Sequence, residues 1–303
     1  MQETVLITGA SGVIGKPLTA LLQSNGYNVI HLGRKAKDGA VKCYRWDVEQ
    51  GTIDAEAITK ADHIIHLAGA PITEKRLNDK RKQEVIDSRV KSAELLLAEI
   101  ARQNKTLKSF TTAAAVGFYG MVTSDKVYTE TDAPATDFLG ECCRLWEAAA
   151  APAAARGIRT VIVRVGIVLS AAGGALPQMA APVRKYIGSP LGSGKQWVPW
   201  IHINDICGIF YKAVSDASMQ GIYNGTAPNP VTNAQLTKAI GRVLHKPVFM
   251  PAVPEFVLKM ILGGEIAKMV CTGSRASCEK IEQAGYKFAY TDANVSLQEL
   301  IGK

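Results

Sequence analysis

At 303 residues, with 47% hydrophobic and 20% charged content, the chain can bury a large core, as one large α/β domain or two smaller units, and disorder is excluded. The net charge of +8 favours anionic ligands, yet the densest basic group, Lys75, Arg76, Lys80, Arg81 and Lys82, lacks interleaved aromatics and reads as a solvated face, so no nucleic-acid partner is expected. No uncharged apolar run approaches ~18 residues and the first strand begins within a few residues of Met1, so the expectation is a cytoplasmic protein with no signal peptide and no membrane contact.

Residues 4–8 form a buried-strand run that breaks into Gly9-Ala10-Ser11-Gly12-Val13-Ile14-Gly15. Gly9 allows the tight turn, Gly12 lets the backbone approach a pyrophosphate, and Gly15 lets the next helix sit close to the sheet. That helix, 13–25, carries Ile14, Leu18, Leu21 and Leu22 at helical spacing and turns its N-terminus to the phosphates, with Ser11, Val13 and Ile14 completing the cradle. Strand-like runs follow at 28–32, 41–46, 62–67, 107–113 and 159–165, and the longer intervals carry helices at 79–103 and 139–156. Val90, Ala93, Leu97 and Ile100 make a sheet-facing stripe on the first of these. Repeated strand–helix–strand units predict a doubly wound parallel sheet with helices on both faces.

After Ser170 the texture changes. Glycine, serine and proline at 172–174, 188–190 and 192–194 punctuate a short helical piece; 197–203 reads as a strand, and 203–225 as a helix followed by a strand at 222–224. Beyond the prolines at 228, 230, 247, 251 and 254 the tail turns helical, ending in 292–301. The expected organisation is a dinucleotide-binding domain over 1–170, to which 203–225 returns. A smaller, mostly helical cap from 171–202 and 226–303 covers the carboxyl ends of the strands, where a ligand crevice belongs.

An NAD-preferring fold ends its second strand with an acid, whereas this chain ends it with Gly33-Arg34-Lys35. A 2′-phosphate carries about two negative charges and a guanidinium offers it paired, charge-assisted donors, so NADP(H) is favoured over NAD(H). Asp47-Val48 is placed to meet the adenine, and Leu67-Ala68-Gly69 to pass close to the ribose; Thr112, Val165 and Gly166 complete the expected cofactor set. Cys43, Cys142, Cys143, Cys207, Cys271 and Cys278 show no metal-ligand spacing, and His63 and His66, three apart on a strand, point to opposite faces, so no metal is expected and the thiols read as reduced.

The glycine turn, His66-Leu67-Ala68-Gly69, Gly117-Phe118-Tyr119-Gly120, residues 164–169 (Arg-Val-Gly-Ile-Val-Leu), residues 200–205 (Trp-Ile-His-Ile-Asn-Asp) and Tyr223-Asn224 together resemble the extended short-chain dehydrogenase/reductases with the Rossmann fold. More closely, the chain is similar to their atypical epimerase-like subgroup, of nucleoside-diphosphate-sugar-epimerase and cell-division-inhibitor type. Ser274-Arg275-Ala276 through Gly285-Tyr286-Lys287-Phe288 resembles that subgroup's small C-terminal domain. The resemblance covers essentially the whole chain. It leaves a homodimer through 79–103 and 139–156 open, although neither helix shows a clear second apolar stripe.

The resemblance implies a Tyr-x-x-x-Lys pair on one helix and a Ser or Thr on the preceding strand. A phenol of pKa about 10 needs a nearby cation to act as a base at neutral pH. Here those positions fall on Leu139, Cys143 and Ala114, none of which can do the work. The remaining acid/base candidates are Tyr119 and His202, with Arg164 as an anion-holding residue and Trp197 as a substrate contact in the cap. Two readings follow: an NADP(H)-dependent reductase or epimerase on a small or nucleotide-linked carbonyl or alcohol, or a non-catalytic NADP(H)-binding sensor or scaffold.

Overall fold

A computed structural model describes residues 2–302. Strands and helices alternate from the start: β1 (Thr4–Thr8), α1 (Gly15–Ser24), β2 (Asn28–Gly33), β3 (Cys43–Asp47), β4 (Thr52–Ile53), α2 (Ala55–Lys60), β5 (His63–His66), α3 (Asp79–Arg102), β6 (Ser109–Ala115), β7 (Val127–Tyr128), α4 (Phe138–Ala155) and β8 (Thr160–Val165). Then come β9 (Ile167–Leu169), α5 (Ala175–Arg184), β10 (Trp197–Val198), β11 (Trp200–His202), α6 (Ile203–Ser215) and β12 (Gly221–Gly225). The last stretch holds β13 (Val231–Thr232), α7 (Asn233–Val243), α8 (Glu255–Leu262), α9 (Gly264–Cys271), β14 (Arg275–Ala276), α10 (Glu279–Gln283) and α11 (Ala293–Ile301).

The central sheet runs β12-β8-β6-β5-β1-β2-β3-β4, parallel except for β4, which pairs antiparallel with β3. From β1 the chain builds outward through β2 and β3, then returns to β5 on the other side. The strand order therefore reverses between β1 and β5, where an open α/β sheet leaves a crevice at its carboxyl edge. Both faces are apolar, as burial under helices demands: Val5 and Ile7 of β1 face α1 and α6 with Leu18, Leu22, Ile206 and Phe210, while Leu6 faces α3 and α4 with Leu96, Ile100 and Ala150. A separate cluster of Leu176, Ala180, Trp200, Leu236, Ile240 and Leu297 holds the C-terminal helices together.

Helix starts follow local chemistry. Asn78 and Asp137 accept from the N–H of Arg81 and Gly140 at the heads of α3 and α4, and Thr232 forms a capping box with Gln235 on α7.

The expected strand over 197–203 is two strands. Pro199, which has no N–H for a ladder, separates β10, antiparallel to β13, from β11, parallel to β9. The stripe on α3 is also shifted. Ala93, Leu97 and Ile100 are buried but Val90 only half so, and the stripe is completed by Val85, Leu96 and the side chain of Arg89.

Among the described residues no helix is long and apolar enough to cross a membrane, no His/Cys/Asp/Glu group could hold a metal ion, and the cysteines form no disulfide.

Candidate functional site

The glycine turn lies at the reversal point. Gly9 has φ +67°, and a Cβ there would stand 2.8 Å from the Leu67 carbonyl, so the turn and the close approach to the chain leaving β5 both require glycine. A Cβ on Gly15 would meet the Ala10 Cα at 2.5 Å, which is how α1 comes to sit on the turn. Gly12 differs: its Cβ would meet only the Gly9 carbonyl oxygen, at 3.1 Å, with no other atom within 4 Å. The Gly12 N–H donates to Gly9 O (3.0 Å), whereas the N–H groups of Ser11, Val13 and Ile14 find no acceptor among the described residues. Three orphan donors beside an open glycine at a helix N-terminus fit an anion such as a pyrophosphate.

The loop facing this turn is locked by a neutral relay. Thr8 Oγ1 accepts from the N–H of Leu67 and Ala68 (both 3.1 Å), which turns its proton to His66 Nδ1 at 2.8 Å. His66 Nε2 then donates to Ser92 Oγ (3.1 Å), and Ser92 donates to Ser88 O (2.7 Å). Complete burial lowers the His66 pKa to about 4, so the ring stays neutral and the relay keeps one proton order.

Gly33 ends β2 and Arg34 follows it, exposed and its side chain with no hydrogen-bond partner among the described residues. Asp47 is already engaged, its Oδ1 accepting from the N–H of Glu49 and Gln50 (both 3.1 Å), and Val48 packs against the core beside it. Two expected cofactor residues are turned to other work. Thr112 is wholly buried and donates to Ala113 O, since its side chain falls on the α3/α4 face of β6 rather than at the edge. Gly166 is glycine because the Pro199 carbonyl oxygen occupies the space a Cβ would need, while Val165 is half-buried against the core.

Residues 5–224 match the NAD dependent epimerase/dehydratase family, and residues 253–300 match a domain of unknown function, DUF1731. The chain belongs to the NAD dependent epimerase/dehydratase family. Within it, the epimerase family protein YfhF of Bacillus subtilis is 36% identical over 98% of this chain and 97% of its own. The crystal structure of human epimerase family protein SDR39U1 with NADPH superposes with a TM-score of 0.87 at 31% identity, covering 98% of each chain. A nucleoside-diphosphate sugar epimerase from Corynebacterium glutamicum reaches 0.81 at 33% identity over all of this chain and 59% of its own. The likeness to SDR39U1-type epimerase family proteins thus runs through the C-terminal helices as well as the sheet.

An epimerase-family site needs a proton donor or acceptor beside the crevice. Ala114 and Cys143 are buried, and both Leu139 Cβ and Cys143 Sγ lie close to Gly117, at 3.5 and 3.6 Å from where its Cβ would be. Burial pushes the Cys143 thiol well up, so it carries no thiolate.

Tyr119, expected as an acid/base, is instead 1% exposed and stacked on Tyr128 at 5.0 Å; its hydroxyl donates to Asn224 Oδ1 (2.7 Å) and accepts from Arg164 Nη1 (3.0 Å). Burial pushes the phenol up to about 12, against the direction a base requires. Arg164 makes a bidentate pair with Glu147 (2.7 and 2.9 Å) over the Phe118 ring, so its anion is this structural carboxylate. Asn224 continues the network, its N–H donating to Glu130 Oε1 and its Nδ2 to Ser277 O.

His202 is fully buried and caps α6, with Nδ1 accepting from the Asn204 N–H (3.1 Å), Nε2 bonded to Glu299 (3.1 Å) and the ring stacked on Tyr290 at 3.7 Å. Neither nitrogen is free for a substrate, which corrects the expectation for this residue. The Trp-Ile-His sequence shows the histidine but not the partners that close on it.

Trp197, half-buried in β10, carries the guanidinium of Arg275 4.7 Å from its ring, and Arg275 Nε is buried with no protein partner. Sequence reasoning missed Arg275 and also Arg89, which lies beside the Leu67–Ala70 loop. Asp54 signalled α2 as an N-cap, accepting from the Glu56 N–H, and was likewise passed over.

Proposed function

We propose that this protein binds NADP(H) across the reversal point of its sheet and does not perform the tyrosine-dependent proton transfer of its family. The observation that carries the reading is the cradle at Gly12, where three unpartnered N–H groups converge, together with the apolar filling at Ala114, Leu139 and Cys143. In this reading Gly9, Ser11, Gly12, Val13, Ile14 and Gly15 hold the pyrophosphate, and Leu67, Ala68 and Gly69 line its path. Gly33 and Arg34 meet the 2′-phosphate, and Val48 meets the adenine beside Asp47. The NADPH in the human SDR39U1 crystal structure supports the choice of cofactor, as does a cation, rather than an acid, after β2. Bound there, the dinucleotide supplies a hydride donor or acceptor. The chain itself orients it, and at the family's positions offers only Ala114, Leu139 and a Cys143 thiol that burial keeps protonated.

The division of labour is part of the proposal: 1–170 with 203–225 holds the cofactor, and 171–202 with 226–303 caps it. The match at 253–300 falls within the proposed cap, while the match at 5–224 spans the cofactor-holding part and continues through 171–202. A second reading, a reductase of a small anionic carbonyl compound that takes its proton from water, is favoured by Arg275 on Trp197, whose unpartnered Nε suits a carboxylate or phosphate. The test is NADPH oxidation across carbonyl compounds and nucleotide-sugars, repeated with Tyr119→Phe and Arg275→Met. Tight NADPH binding with no turnover is the expected result. Turnover abolished by Tyr119→Phe in a folded protein refutes the first reading, and turnover whose KM rises on Arg275→Met establishes the second.

A further inference from the structure

Arg89 is the one arginine in the middle of α3's buried face, 8% exposed, and it has no counter-ion: no carboxylate of the described residues pairs with it, in contrast to Arg164 and its Glu147. Its Nη1 donates to Ala70 O (3.0 Å) and Val85 O (2.9 Å), while Nε and Nη2 find no acceptor among the described residues. The guanidinium is clamped between the Trp146 ring of α4, 4.7 Å from Cζ, and the chain leaving β5. A Cβ on Gly69 would stand 3.2 Å from Cζ and 3.4 Å from Nε, so the Gly69 backbone leaves room for this group.

Tethering the loop does not account for the charge. A neutral amide could donate to Ala70 O without the cost of stripping water from a cation, and Ser88 Oγ already accepts from the Ala70 N–H. Arg89 also lies where a cation is missing. Cys143 stands where the family places its lysine, and the Arg89 guanidinium is close enough to act electrostatically on Cys142 and Cys143.

We propose that Arg89, reaching across from α3, replaces that missing lysine as a cofactor-binding residue, donating from Nε and Nη2 to the phosphate and ribose oxygens on the nicotinamide side of the dinucleotide. The adenosine side is excluded because its 2′-phosphate partner, Arg34, lies at the end of β2, on the other side of β1. This rests on the NADP(H) reading above.

The experiment titrates wild type, Arg89→Met and Arg89→Lys with NADPH, NADH and 2′,5′-ADP, which has the adenosine end and no nicotinamide half, by fluorescence and calorimetry. Loss of charge-assisted bonds predicts that Arg89→Met weakens NADPH and NADH by the same factor, ~10–100-fold, leaves 2′,5′-ADP within ~2-fold, and that Arg89→Lys recovers part of the loss. An equal loss for 2′,5′-ADP would mean Arg89 only props the loop, and unchanged NADPH affinity would mean it does not touch the cofactor; either overturns the proposal. Wild type that binds none of the three overturns the NADP(H) reading itself.

Discussion

Removing one half of the Arg164–Glu147 pair probes the one ion pair among the described residues whose two partners are both buried. Both groups are at most 9% exposed, the bond is bidentate at 2.7 and 2.9 Å, and Arg164 also holds the Tyr119 hydroxyl. Each ion finds its only counter-charge in the other, so breaking the pair from one side costs ~3–5 kcal/mol. Glu147→Gln keeps one acceptor and falls at the lower end; Arg164→Met strands the carboxylate and one of the two Tyr119 bonds, and falls at the upper end. Replacing both by methionine removes both desolvation costs, so the double variant should lie within ~2 kcal/mol of wild type, with a coupling of at least ~3 kcal/mol between Arg164→Met and Glu147→Met. Urea denaturation gives the free energies, and melting should show ~6–10 °C lost in either single variant at ~2 °C per kcal/mol for a chain of this size. Single losses below ~1 kcal/mol, or an additive double variant, would refute the argument that this pair, and not an anionic ligand, is what Arg164 serves.

Thr8→Val, nearly isosteric, orphans the Ala68 N–H and the acceptor at His66 Nδ1 and leaves the Leu67 N–H only its bond to Thr8 O (3.3 Å); a loss of ~2–4 kcal/mol in urea, with faster amide exchange at 67–69, is expected. Because His66 has its pKa lowered to about 4 from an unfolded value near 6.5, the unfolded chain binds the extra proton between those values. Its contribution is therefore complete above pH ~6.5 and is lost as pH falls to ~4, on the order of 3 kcal/mol. The ring resonances of His66 should not titrate above pH 5 in an NMR series. Gly15→Ala, which drives a Cβ to 2.5 Å from Ala10 Cα, should cost stability and abolish NADPH binding together, as read by melting and titration.

What the sequence disclosed was local. The glycine turn and the apolar strand runs that imply a doubly wound parallel sheet follow from spacing within a dozen residues, and β1, β2, β5 and β8 lie where the spacing puts them. The empty proton-transfer positions were legible too, because Leu139 and Cys143 are read directly. What could not be read was partnership between distant segments. His202 looked like a base because Glu299 and Tyr290, which close on it, are far along the chain; Tyr119 and Arg164 looked available because Glu147 and Asn224 do not announce that they will meet them. Arg89 was invisible for the converse reason: a basic residue on a helix reads as solvent-facing, and only Trp146 and Gly69, packed over it, reveal a buried cation without an anion.

The most direct measurement is a titration of the purified protein with NADPH and NADH, beside the Arg34→Ala variant. NADPH should bind more tightly than NADH, and Arg34→Ala should weaken NADPH ~10-fold or more while leaving NADH nearly unchanged, as loss of charge-assisted bonds to a 2′-phosphate requires. Equal affinities in wild type, or equal losses for both nucleotides on Arg34→Ala, would contradict the NADP(H) reading.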